Sequence, residues 1–288
     1  MKRIILSRKG FDSSTGKTPS RASPIFEDGS IFSIPVQINN TDPDTYVNVE
    51  YGGINAYEAI KYAYKNAKNR SPYNKEDRCH FDPNLSILPG VFGQQGSDQG
   101  ELEKCHISEG DLFLFFGWFQ TYGGDQTKIN AHHLFGWLQV DKIIKGTAQI
   151  REYCNAMKIQ HPHAKGKWKQ NALYVSSNDL KTEHGVLKRK GAGFFKTTDE
   201  QLILSYNHAE RKSLWQFPEE YFRSIADSSS AHEMFVAHDS KSKSPNEWLD
   251  LKNLTVNTNR GHWQELALDS NKFPSLEKWA FDLIRNLG

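Results

Sequence analysis

The chain has 288 residues, with 36 Lys and Arg against 34 Asp and Glu. That near balance excludes a global field drawing the protein to nucleic acid, so any such contact must come from local patches. The length allows one large domain or two small ones with a sizeable core, and an aromatic share of 12% suits a β-rich core or stacking surfaces.

In chain order, the apolar run KRIIL at residues 2–6 predicts a buried first strand. The loop after it, GFDSSTGKT at residues 10–18, ends like a phosphate-cradling P-loop. It fails that motif because five residues, where the motif has four, separate Gly10 from Gly16, and because Pro19 and Pro24 break the helix that should follow. What remains is a polar loop set by a strand, holding Arg8, Lys9, Asp12, Ser13, Ser14 and Lys17. SIFSIPV at 30–36 reads as a second strand. Residues 55–69 read as a helix, with Asn55 as its cap and Tyr57, Ile60, Tyr64 and Ala67 at helical spacing. GDLFLFFGWFQ at 110–120 and HHLFGWLQVDKII at 132–144 predict a β-hairpin whose glycines allow bends. Shorter strands are expected at 172–177, 201–206 and 264–269, and a closing helix at 275–287 capped by Ser275. The economical reading is one α+β domain over 1–288, built on a curved or barrel-like mixed sheet with a few flanking helices.

The longest apolar stretch, at 112–119, is far short of a membrane span, and the N-terminus lacks the long apolar segment of a signal peptide. Three cysteines, Cys79, Cys105 and Cys154, form no C-x-x-C pair. A soluble cytoplasmic protein without a membrane partner is expected. Cys79-His80 and Cys105-His106 match no zinc spacing, so no metal site is expected. In His80-Phe81-Asp82-Pro83, a strand would project His80 and Asp82 to one face, where the carboxylate can orient the imidazole as a general base. The competing reading is a turn in which Asp82 caps the backbone before Pro83. Two basic patches, 158–169 with His161, His163 and Trp168, and 187–196 with Phe194 and Phe195, combine cations with aromatics in the manner of phosphate contact plus base stacking. The triplets Asp179-Leu180-Lys181 and Asp250-Leu251-Lys252 are a weak signal for a metal-dependent nuclease.

Several blocks, in order and covering nearly the whole chain, resemble the family called nucleotide modification associated domain 3. They are ILSRKGFDSS, SPIFEDGSIFSIP, HFDP, FGQ, GDLFLFFGWF, HLFGWLQV, HPH, NALYV, GAGFF, SLWQFP and QE. The resemblance implies a protein acting on a nucleotide or nucleic-acid base in base modification or phage defence. Under it, Asp12 is the expected general base or base-edge acceptor, with His80 and Asp82 as supporting pair. Arg8, Lys17, His161 and His163 would hold phosphate, beside Ser13 and Ser14 of the first loop. The hairpin is also similar to the central pair of PUA-like barrels, in which Trp118 or Trp137 would stack on a base and Gln139 would read its edge. The resulting alternatives are a non-catalytic reader of modified bases and a metal-dependent nuclease. Whether the protein is an enzyme, and with which cofactor, stays open.

Overall fold

The computed structural model describes residues 3–11, 21–38, 42–123, 128–166, 168–182, 185–206, 211–236, 249–258 and 265–288. Among these the fold is mixed α+β, with one large sheet and five α-helices. The sheet holds β1 (Arg3–Arg8), β2 (Ser23–Ile25), β3 (Val91–Gln94), β4 (Leu112–Thr121), β5 (Asn130–Lys145), β6 (Ala172–Ser176), β7 (Ala192–Phe194) and β8 (Glu265–Asp269). Its path runs β8–β1–β4–β5–β6–β3, with β2 added to β4 and β7 to β5. β1 and β2 pair with β4 in parallel, and the other ladders are antiparallel. The path is open, and no closed barrel forms among the described residues, so the barrel-like expectation is not met.

β1 lies inside the sheet between β8 and β4, which explains its four consecutive buried residues from Ile4 to Ser7. The expected hairpin forms as β4 and β5. β5 is 16 residues long: its first half pairs with β4 and its last part with β6. Gly117 and Gly136 serve close approach. A Cβ on Gly117 would stand 2.7 Å from the Lys9 carbonyl oxygen, and one on Gly136 2.6 Å from Leu85 Cδ1.

Helix α1 (Ala56–Tyr64) starts at the predicted cap. Asn55 accepts from the Glu58 N–H and the Glu58 carboxylate reaches back to the Asn55 N–H. The remaining helices are α2 (Gly96–Lys104), α3 (Thr147–Met157), α4 (Glu219–Ala226) and α5 (Pro274–Leu287). In α5 the cap position belongs to Phe273, without a side-chain bond, and Pro274 fills the first turn. Ser275 is therefore inside the helix, because a proline is best placed where an N–H has no partner to lose. The strands expected at 30–36 and 201–206 do not form. Residues in the first stretch bond to several segments in turn, Ile31 to Lys196, Phe32 to Pro24 and Ile34 to Phe11, so no continuous ladder develops. The second opens with a 3₁₀ turn, Glu200–Leu202, capped by Asp199. No helix among the described residues is long and apolar enough to cross a membrane.

His133 in β5 is fully buried, with Nδ1 against the Leu134 carbonyl and Nε2 3.0 Å from Thr198 Oγ1. Burial is the largest influence on it and pushes its pKa down to about 4. The unfolded chain then binds the extra proton, so the stabilisation is complete above the unfolded value of 6.5 and is lost as pH falls toward 4. His133→Gln should remove an acid sensitivity on the order of 2–3 kcal/mol, read as the difference between urea midpoints of variant and wild type at pH 7.5 and 4.5. Equal pH dependence in the two proteins would refute it.

Candidate functional site

A cleft of about 670 Å³ opens at one end of the sheet. The end of β1 supplies Arg8, Lys9 and Gly10, the end of β3 supplies Gly93 and Gln94, and α2 begins at its wall with Gly96, Ser97 and Asp98. His80 and Asp82 come from the irregular segment before β3, and His163, Trp168 and Lys169 from the segment before β6.

Asp82 is the centre of the buried chemistry. Both of its oxygens accept from the Gly93 N–H, at 2.9 and 3.2 Å. Around it stand His161 Nε2 at 3.4 Å from Oδ1, His163 Nε2 at 3.5 Å from Oδ2 and His80 Nε2 at 3.8 Å from Oδ2. Burial alone would raise the Asp82 pKa, but the surrounding imidazoles, His161 first, outweigh it and hold the carboxyl well below the usual range. For His80 burial pulls the other way and loses to Asp42 and Asp82, so its pKa is raised to about 9. Asp42 Oδ2 lies 3.5 Å from His80 Nδ1. His163 is pushed down to about 4, by burial first, against the attraction of Asp82. One imidazole of the cluster is thus built to carry a proton and another to stay neutral.

Below the cleft, Glu265 at the start of β8 is buried and gathers three donors on Oε1: Ser7 Oγ at 3.0 Å, Lys9 Nζ at 2.9 Å and Gln94 Nε2 at 2.5 Å. Burial raises its pKa against the pull of Lys9. The network ties β1, β3 and β8 together directly beneath the lining residues.

The structure brings together Arg8, His80, Asp82 and His163 as cleft lining, with His161 fully buried behind Asp82. At that depth His161 meets the carboxylate, whereas the sequence reading had it holding phosphate. Asp12, Ser13, Ser14 and Lys17 lie outside the described residues. Trp118 and Gln139 are not in this cleft. Trp118 donates to Asn130 Oδ1 at 2.6 Å and lies under Lys212. Gln139 spends its amide on the Gly110 and Lys181 backbones and on Ser177, which leaves little to read a base edge. Trp137 Nε1 donates to the Lys190 carbonyl and its ring packs on Phe195. Of the two basic patches, the first furnishes the cleft with His163, Trp168 and Lys169. In the second, Phe194 stacks on Tyr51, Phe195 joins the core and Lys190 pairs with Asp179. Among the described residues the Asp-x-Lys triplets form no cluster: Lys181 pairs with Asp141, and Asp250 accepts from Asn253. The residues missed by sequence reasoning are Asp42, Gly93, Gln94, Asn171 and Glu265. All but Asp42 lie in blocks that carry the family resemblance, which was the only signal available for them.

The model of the family described as nucleotide modification associated domain 3 matches residues 3–266. The chain belongs to this family. The matched span of the nucleotide modification associated domain includes all eight main-sheet strands at least in part, and every lining residue of the cleft, and it ends at Leu266, short of α5. Membership points to a role in nucleotide modification. No curated protein and no solved structure matches the chain, and nothing supports the likeness to PUA-like barrels.

Proposed function

We propose that the cleft holds a nucleotide, free or within a nucleic-acid strand, so that its base can be modified. The carrying observation is the combination on one set of walls. Trp168 lies against the His163 ring, 5.4 Å between centroids and 19° from parallel, and lines the same cleft as Arg8, Lys169 and the start of α2. An aromatic face suits a base, and cations beside backbone N–H groups suit phosphate. The α2 cap residue, Gln95, makes no side-chain cap bond. His80 and Asp82 stand at the reacting end, a pair able to hold and hand over a proton. Base modification or phage defence, in the cytoplasm, is the setting this reading proposes.

Titration of the protein with nucleoside monophosphates and short oligonucleotides tests it. Trp168→Ala and Arg8→Ala should each weaken binding by roughly tenfold, binding should fall as salt rises, and Trp118→Ala should leave it unchanged. Failure to bind any of these probes, or equal binding by all three variants, would sink the reading.

A further inference from the structure

The geometry points to a site for one divalent first-row transition-metal ion at His80, Asp82 and His163. One ligand atom from each lies within 4.8 Å of the others. Asp82 Oδ2 is 3.8 Å from His80 Nε2 and 3.5 Å from His163 Nε2. Ligand atoms bound at about 2.1 Å stand about 3.0–3.4 Å apart around one ion, so loading draws both imidazoles onto Asp82 and closes the span of up to 4.8 Å across the three ligand atoms.

The hydrogen bonds behind these residues assign the lone pairs. Asn171 Nδ2 donates to Thr147 Oγ1 at 3.0 Å and to the His163 carbonyl at 2.9 Å. Its Oδ1 is therefore the atom facing His163 Nδ1 at 2.6 Å, and the His163 proton belongs on Nδ1. That leaves the Nε2 lone pair turned toward a carboxylate oxygen, two acceptors facing each other with a cation's place between them. A ligand imidazole that donates its other N–H to a fixed oxygen is the usual support of a metal site. His161 plays a different part. Its Nδ1 accepts from the His163 N–H at 3.3 Å, so Nε2 carries the proton. This nitrogen is fully buried, without a hydrogen-bond partner among the described residues, 3.4 Å from Asp82 Oδ1. It stands behind Oδ1, to which the Gly93 N–H is also nearer, 2.9 Å against 3.2 Å from Oδ2, while His80 and His163 both face Oδ2.

Two imidazoles and one carboxylate favour a first-row transition ion over Mg²⁺ or Ca²⁺. Three protein ligands leave positions open to the cleft, where the ion could polarise a bound water or a substrate oxygen. The site shares His80 and Asp82 with the proposed proton-handling pair, which would serve as ligands once an ion is bound, and the nucleotide contacts at Trp168 and Arg8 are tested apart from it.

The test is titration of chelator-treated protein with Zn²⁺ and with Co²⁺, without nucleotide. One equivalent of each should bind, Zn²⁺ should raise the melting temperature, and Co²⁺ should develop visible d–d absorption. Asp82→Asn and His163→Gln should abolish binding, Asn171→Ala should weaken it by about 10–100-fold, and exposed His232→Gln should change nothing. X-ray absorption of the zinc-loaded wild type should show imidazole nitrogens together with oxygen in the first shell, and it decides the matter if a variant does not fold. Absence of stoichiometric binding, binding unaffected by Asp82→Asn and His163→Gln, or a first shell without imidazole would overturn the assignment.

Discussion

Lys9→Met is expected to cost about 3–5 kcal/mol of folding stability, because it leaves Glu265 buried without its countercharge. The Lys9 and Glu265 side chains are 14% and 4% exposed and meet at 2.9 Å, so water can replace little of the lost interaction. The Ser7 and Gln94 donors remain, but two neutral bonds do not balance a buried carboxylate. Glu265→Gln should be milder, since Lys9 keeps a partial route to solvent. The pH dependence supplies a second check. The Glu265 pKa is already raised by burial, and loss of Lys9 raises it further. A carboxyl with a raised folded pKa binds more protons folded than unfolded. Its favourable contribution is complete below the unfolded value and is lost as pH rises through the folded one. The variant should therefore be closest to wild type in acid and fall behind as pH rises. Urea unfolding at several pH values measures this, and a double-mutant cycle with Glu265→Gln isolates the pair. A Lys9→Met protein as stable as wild type at every pH would show that Glu265 is neutral in the fold.

The second large effect is at Gly93, where alanine should disable the site while leaving the fold standing. A Cβ there would overlap the His163 ring. Gly93 φ is not in the left-handed region, so the glycine is needed for space alone. Crowding of this kind costs about 1–3 kcal/mol. The ring and the Asp82 carboxylate held by the same residue's N–H would be pushed apart, and nucleotide and zinc affinity should each drop by roughly tenfold or more. Removing the obstructing ring gives the control: in Gly93→Ala/His163→Ala the stability cost of the alanine should largely vanish, a non-additivity read from melting temperatures. Unaltered ligand binding by Gly93→Ala would mean that the His163 ring takes no part in the site.

Much of the scaffold was legible in the chain. Dense apolar runs marked β1, β4 and β5, and Asn55 marked the start of α1, because capping and burial act over a few residues. The stretches at 30–36 and 201–206 misled for the converse reason. Their pattern reports which side chains are buried, and a strand also needs one partner running alongside, which Ile31, Phe32 and Ile34 do not have. At the site, His80 and Asp82 could be paired because they are two residues apart. The basic patch at 158–169 was visible as charge, yet its two histidines became buried partners of a carboxylate.

The amino-acid sequence by itself determined the apolar segments, the Asn55 cap, the charge balance and the family to which the chain belongs, all of which follow from residues near one another or from ordered blocks. Only the tertiary structure decided that Asp82 sits among His80, His161 and His163, that Asn171 fixes the His163 proton, and that Ser7, Lys9 and Gln94 converge on Glu265. Those groups are far apart along the chain, and the energy that gathers them is the burial of the sheet around them. A local pattern carries no record of which distant carboxylate that burial will bring to which imidazole.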